Sequence, residues 1–433
     1  MAGRPAAEVV AQLGSALLGA PIPWGVRCWD GSELPGPPGS PTLVVTTPTA
    51  LRRILYAPNE LGLARAYVSG ELEIEGDLFQ VLEFADSLPA RPSLHLTRAA
   101  LRPLLADLAR NGVLGRPVRP PAEESRLRGL RHSLRRDSAA ISHHYDVGND
   151  FYALLLGPTM VYSCAYFPSP DASLDEAQRD KLDLVCRKLE LRPGMRLLDV
   201  GCGWGSLVLH AAAAYGVRAV GVTISREQAA LARRRVAEAG LEDRVEIRLQ
   251  DYREVTDGPY DAIASVGMAE HVGRAQLPGY ANNLHALLAP GGRLLNHGIA
   301  RGPDAGPRSS ESRSFVSRYV FPDGDLQTLA DHVGFLERSG FEVRDVEGLR
   351  EHYALTCRAW AARLGARWDD ALRLVSPARA RVWRLYVSGA ALAFERRRVG
   401  VNQIVATRSS SGAAACGAWP LRRPDWSRAP ADR

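Results

Sequence analysis

The chain is almost without lysine: Lys181 and Lys188 are the only two, and every other strongly basic side chain is arginine. That bias reads as the imprint of a GC-rich coding sequence and by itself assigns no chemistry. No apolar run approaches the ~20 residues that a membrane-spanning helix requires. The opening MAGRPAAEVV lacks the charged-then-apolar order of a secretory signal. The cysteines (Cys28, Cys164, Cys186, Cys202, Cys357 and Cys416) are scattered and form no CxxC pair. This argues against structural zinc or a disulfide framework and for a reduced, cytoplasmic setting. What remains is ordinary: 433 residues, 46% hydrophobic, with a formal charge of +6, suit two soluble domains with a modest basic excess.

One stretch organises the rest. RLLDVGCGWG, residues 196–205, is an apolar run ending in Gly201, Gly203 and Gly205, with a helical pattern from Ser206. Strand, glycine turn and helix in that order open a nucleotide-binding α/β unit. A dinucleotide site would place its third glycine one residue later and an acid after the second strand, and RAVGVTIS at 218–225 carries none. Asp199 instead lies inside the first strand. That arrangement resembles the S-adenosylmethionine (SAM) turn of Rossmann-like methyltransferases, where no pyrophosphate has to be held, and makes a nicotinamide enzyme the weaker reading.

Residues 1–90 read as a small α+β domain: a helix at 9–18, a strand then a helix at 41–58, a short hairpin edge at Leu72 and Ile74, and a helix at 78–84. Nothing there has catalytic spacing. Residues 91–138 form a Pro/Arg-rich linker whose arginines include Arg116, Arg119, Arg126, Arg128, Arg131, Arg135 and Arg136. A solvated connector and a contact for anionic phospholipid head groups are both open readings. Nucleic acid ranks last, because aromatics are not interleaved and no binding module is present. Residues 139–408 read as the catalytic domain. It opens on AAISHHYDVGNDFYALLLGPTMVYSCAYFP, too poor in ligand spacing for a metal site but suited to a pocket of rings and hydroxyls. Strands at 196–200, 218–225, 244–251, 261–267 and 293–299 alternate with helices, which implies a mostly parallel sheet with its ligand edge at the strand ends. Residues 301–408 read as helical, and 409–433 as a disordered tail.

YSCAYF, LLDVGCGWG, GVTISREQ, LQDYR, SVGMAEHVG, RYVFPDG and the HYALT segment together resemble the cyclopropane-fatty-acyl-phospholipid synthases. The likeness runs through nearly the whole chain up to the tail. It is strongest with the two-domain actinobacterial branch, some of whose members make the 10-methylene precursor of tuberculostearic acid. The resemblance implies methyl transfer from SAM to a cis double bond in a membrane phospholipid's acyl chain, on the inner face of the membrane. A carbocation follows, and proton loss closes a cyclopropane or leaves a methylene branch; the second product would call for a separate reductase. A homo-oligomer is compatible with it.

For the base site the resemblance implies Cys164, Glu270, His297, the backbone at Ile299, and Tyr353, around a bicarbonate ion that accepts the proton. On residue type alone, Cys164 and His297 are as readily core residues, and Glu270 a helix cap. For SAM it implies Tyr162 and Ser163, Asp199 with the Gly201–Gly205 turn, Thr223, Ser225 and Gln228 toward the ribose, and Asp251 and Tyr252 toward the adenine. Tyr145, Tyr166 and Phe167 are candidates to face the cation. Ala390 stands where some members carry a cysteine, which disfavours covalent catalysis. A methyltransferase for soluble molecules would need neither the first domain nor the basic linker. A catalytically dead binding protein would not keep all of Cys164, Glu270, His297 and Tyr353.

Overall fold

The computed structural model describes residues 4–87, 98–125, 136, 147–306, 314–409, 419–420 and 426. They gather into two compact units. One comprises Met1–Arg126, Arg308–Val320 and Val375–Gly389; the other Leu127–Pro307, Phe321–Leu374 and Ala390–Arg433. The chain is therefore not cut once at the basic linker. Two segments of its carboxyl half join the first unit because they bond there: the Ser125 N–H donates to the Arg318 carbonyl at 2.7 Å, and Arg381 pairs with Glu73.

The first unit holds a four-stranded sheet of β1 (Gly25–Cys28), β2 (Glu33–Leu34), β3 (Thr42–Val45) and β4 (Leu72–Glu75), in the order β2-β1-β3-β4. The edge expected at Leu72 and Ile74 is real, but β4 returns antiparallel to β3 after two helices, Pro48–Tyr56 and Glu60–Val68, not through a hairpin. Helix Ala6–Leu18 lays Val9, Val10 and Leu13 on Val26 and Val45 to make the core.

The second unit is built on a seven-stranded sheet: β5 (Arg196–Val200), β6 (Arg218–Thr223), β7 (Val245–Leu249), β8 (Tyr260–Val266), β9 (Leu288–Arg301), β10 (Phe341–Gly348) and β11 (Val399–Arg408). Their order is β10-β11-β9-β8-β5-β6-β7, with β11 antiparallel to both neighbours. Central strands are apolar on both faces, so neighbouring residues enter opposite cores. Leu197, Ala262, Leu295 and Val405 join the core under helices Leu174–Lys188, Ser206–Tyr215 and Arg226–Glu238. Leu198, Ile263, Leu294 and Ile404 join the opposite one, under helices Leu277–Leu287 and Leu329–Arg338.

Strands β10 and β11 correct the expectation of an all-helical 301–408. Their pattern, FEVRDVEG and VGVNQIVATR, is β-branched and alternating, but Asn402 and Gln403 break the apolar run of β11 in the middle. Long helices on either side, Arg350–Ala366 and Pro377–Glu395, dominate the periodicity. Of the expected tail, Ser409, Trp419, Pro420 and Trp426 are described, and both tryptophans are packed: Arg293 lies 4.3 Å from the Trp419 ring centre, and the Arg187 Nε donates to the Trp426 carbonyl at 2.8 Å.

Candidate active site

The chain leaves β5 toward β6 and β7, then crosses back to place β8 on the other side of β5. A crevice opens at that switch point, beyond the carboxyl ends of the strands. The turn after β5 forms its floor. Gly201, Gly203 and Gly205 have φ of 79°, 56° and 80°, so each needs the freedom that glycine has. They serve different ends. A side chain on Gly203 would project into open space at the crevice, whereas one on Gly205 would press on Ala232 at 3.3 Å, so Gly205 brings helix Arg226–Glu238 close.

Tyr162, Ser163, Asp199, Thr223, Gln228, Asp251 and Tyr252 all line this crevice, as their sequence positions predict. The Thr223 hydroxyl donates to the Gln228 Oε1 at 2.8 Å. Ser225 does not line it: its Oγ accepts from the Gln228 N–H at 3.3 Å and caps the following helix. The Asp251 carboxylate is gripped by Arg253, at 2.7 Å for Nη2. Burial pushes the Asp199 carboxyl up to about 7, although the Lys181 ammonium opposes the shift. Lys181 is itself buried, donates to the Ser163 Oγ at 2.8 Å, and is pulled down to about 8 by desolvation.

A second cluster lies at the ends of β8 and β9. Glu270 sits in the short helix Ala269–Val272, and its Oε1 accepts the Ile299 N–H at 2.7 Å. Its Oε2 is buried without a partner among the described residues, and burial raises the carboxyl to about 7. His297 on β9 is fully enclosed; the Gln403 Nε2 meets its Nδ1 at 3.2 Å, and its Nε2 has no described partner. Desolvation, reinforced by Lys181 and Lys188, holds the ring down at about 3, so it is neutral. Cys164 and Tyr353 share one anchor, the Leu349 carbonyl, reached by the Cys164 Sγ at 3.6 Å and the Tyr353 N–H at 3.1 Å. Burial raises the Cys164 thiol well above its usual range, so it is a neutral donor. The Lys181 charge acts on Asp199, Cys164 and His297 alike, which ties the two clusters together.

Rings connect them as well. Trp204 in the glycine turn meets Tyr152 at 4.7 Å, Tyr152 meets Tyr162 at 5.7 Å, Tyr162 meets Trp360 at 5.3 Å, and Trp360 meets Tyr353 at 6.1 Å. The rings expected to face a cation fare differently. Tyr166 and Phe167 stack on His352 at 4.8 and 6.5 Å, and Tyr145 lies outside the described residues with His143, His144 and Asp146. Lys181, Lys188, Trp360 and Gln403 are the residues that sequence reasoning missed. The lysines carried one signal: they are the only two in an arginine-rich chain, and both are buried here.

Residues 132–404 match the family described as Mycolic acid cyclopropane synthetase. The chain belongs to this family. It is a SAM-dependent methyltransferase, and the glycine crevice is where its fold class takes that cofactor. Over 392 residues it is 41% identical to a probable fatty acid methyltransferase of Mycobacterium tuberculosis, covering 88% of this chain and 90% of that protein. A tuberculostearic acid methyltransferase of the same organism is 34% identical over 381 residues, 84% of this chain and 83% of the relative. Among solved structures, a mycolic acid cyclopropane synthase complexed with SAH and CTAB superposes with a TM-score of 0.59 at 34% identity, covering 62% of this chain and 98% of that one.

Proposed function

We propose that this methyltransferase moves the methyl group of SAM to a cis double bond in the acyl chain of a membrane phospholipid and yields a cyclopropane chain. The observation that carries the reading is the pair of buried polar atoms left unpartnered among the described residues, Glu270 Oε2 and His297 Nε2. A structural cluster would satisfy both. Methylation of the alkene leaves a carbocation on the neighbouring carbon, and loss of a proton from the new methyl closes the ring. Water must be excluded, or the cation becomes an alcohol. The sealed burial of Cys164, Glu270 and His297 meets that need, and the rings of Tyr162, Trp360 and Tyr353 offer faces that attract positive charge.

The donor set fits bicarbonate. Bound there, the ion would supply the base that takes the proton. Glu270 and His297 would hold it, with Cys164 and Tyr353 completing the set, while Ile299 acts by fixing the Glu270 carboxylate. A neutral histidine has one N–H to give, and a carboxyl raised to about 7 can share the ion's own proton.

A lipid substrate implies docking on the inner face of the membrane. The Tyr56 hydroxyl donates to the Gly115 carbonyl at 2.8 Å, which sets the exposed Tyr56 and Leu114 beside Arg116. An exposed ring and an exposed leucine with an arginine at their rim suit an anionic bilayer. Arg136 does not contribute: it is paired to Asp323 at 2.7 Å. Arg126, Arg128, Arg131 and Arg135 lie outside the described residues.

A methylene-branched product is the second reading, favoured by the likeness to the tuberculostearic acid methyltransferase. Mass spectrometry of lipids from a host expressing the chain, against an empty vector, separates the outcomes. A gain of one CH2 that resists hydrogenation means a ring; a gain that keeps an unsaturation means a branch. No gain in any lipid overturns both.

A further inference from the structure

Three strands and one helix place a row of polar side chains behind His297. Register puts Glu347 of β10 opposite Gln403 of β11, and Gln403 opposite His297 of β9. Side chains directly opposite on neighbouring strands touch, and the row is bonded: the Gln403 Nε2 meets the His297 Nδ1 at 3.2 Å. Lys188, at the end of helix Leu174–Lys188, is wholly buried; it pairs with Glu347 and donates to the Gln403 Oε1 at 2.7 Å. The Trp426 ring lies over it, 5.6 Å from the ammonium.

Chemistry orients this row without appeal to which amide atom is which. An ammonium held by a carboxylate has protons to give and no lone pair. Gln403 must therefore turn its carbonyl toward Lys188, which leaves its NH2 facing His297. Nδ1 must then accept, and the single proton of a neutral imidazole is left on Nε2. We propose that Glu347, Lys188 and Gln403 lock His297 in the tautomer that carries its proton on Nε2, so that the unpartnered nitrogen is an N–H donor aimed at the anion of the base site. Gln403 is then a positioning residue for proton removal. The catalytic consequence rests on the bicarbonate reading; the lock does not.

The lock explains why a buried polar row is kept in a core of Leu295 and Val405. A row serving only to pack would satisfy its last member, and here that member ends without a described partner. The other tautomer would turn a lone pair toward an anion and repel it.

The test uses the full-length protein with 15N-labelled histidine, its His297 signals identified by their loss in His297→Gln. Long-range proton–nitrogen spectra of the wild type should show a protonated Nε2 and an unprotonated Nδ1. Gln403→Glu keeps the Lys188 contact but presents a carboxylate to Nδ1, so the proton should move to Nδ1. Turnover should fall roughly 10- to 100-fold, the size seen when the outer partner of a metal-bound histidine is lost, with SAM affinity unchanged. Gln403→Met, uncharged and of similar bulk, should give a mixture of tautomers and an intermediate rate. A wild-type proton on Nδ1, or a tautomer unmoved by Gln403→Glu, overturns the lock. A tautomer that moves while turnover stays the same overturns the positioning role. Bicarbonate depletion of the wild type is a separate arm: an unchanged rate there removes the bicarbonate reading and leaves the lock standing.

Discussion

The two ends of the catalytic unit are built on different principles. The SAM end is made of backbone: a glycine turn with positive φ, local in sequence, at the switch between β5 and β8. The end proposed to hold an anion is made of side chains drawn from four distant segments, around residues 164, 270, 297 and 353, each buried; Cys164 and His297 are neutral at pH 7, and Glu270 is poised between its two forms. A backbone site tolerates changes in neighbouring side chains but no Cβ where the ligand lies. A side-chain site tolerates backbone neighbours but no change in which atom holds a proton.

The largest effect tests the first half of that contrast. Gly203→Val places a β-branched side chain at φ 56° and fills the open side of the turn, so SAM binding should fall by more than ~100-fold. Gly240→Val is the control: its φ is 63° and its side chain also meets nothing, but it follows helix Arg226–Glu238, away from the crevice lining. Calorimetry should find SAM affinity unchanged there. Equal losses in both would mean that strain, not occupancy, is being measured.

The next test exchanges one atom at the anion end. Glu270→Gln should leave SAM affinity intact and slow turnover by ~10²-fold, the cost of one misplaced charge-stabilising contact. Stability should move the other way. A carboxyl whose pKa is raised from 4.5 to about 7 by burial opposes folding above pH 4.5, and its cost at pH 8 is about 3 kcal/mol. The melting temperature of Glu270→Gln should therefore exceed that of the wild type by a margin that widens from pH 5 to pH 7 and then levels. A margin independent of pH would show that Glu270 is ionised at little cost and would weaken the case for a sealed site.

These contrasts also explain what could be read without coordinates. The glycine turn and the alternation from β5 to β9 are short-range signals, carried by residues within a few positions of one another. Cys164, Glu270, His297 and Tyr353 were visible only through resemblance, because no spacing in the chain reports that Leu349 anchors both Cys164 and Tyr353. Gln403 and Glu347 were out of reach for a further reason. The pattern of residues 301–408 reads as helix, and a register row exists only once strands are paired. Trp360 gives no signal beyond being one aromatic on a long helix.

A smaller effect sets the ends in opposition through pH. Asp199 is raised to about 7, so the apo protein holds a proton there in mild acid. A cationic cofactor favours the carboxylate, and binding below pH 7 must first release that proton. SAM affinity should rise about fivefold between pH 6 and pH 7 and by less than about twofold more above, the titration of one proton. Lys181, held down at about 8, loses charge over the next unit and adds a weaker rise in the same direction. Asp199→Asn should remove the first rise and leave the second. A wild-type affinity that is flat from pH 6 to pH 7 would mean that Asp199 is already ionised in the apo protein.

The smallest expected effect probes the boundary of the anion end, at a residue far along the chain. Trp426 covers Lys188, and Arg187 holds the Trp426 carbonyl, so the end of the chain shields the cation that orients Gln403. Trp426→Ala keeps the backbone contact and removes the ring. A desolvated cation–π contact contributes about 1 to 2 kcal/mol, and part of that loss should appear as a lower melting temperature. The rest should appear in catalysis: water reaching Lys188 competes with Gln403 for its protons and loosens the hold on His297. Turnover should drop by less than ~10-fold, with no change in SAM affinity, because no part of the glycine turn is touched. Trp426→Phe, which keeps a ring face, should restore most of the rate. If Trp426→Ala instead weakened SAM binding and spared turnover, the tail would belong to the cofactor end and the division between backbone-built and side-chain-built halves would have to be redrawn around it.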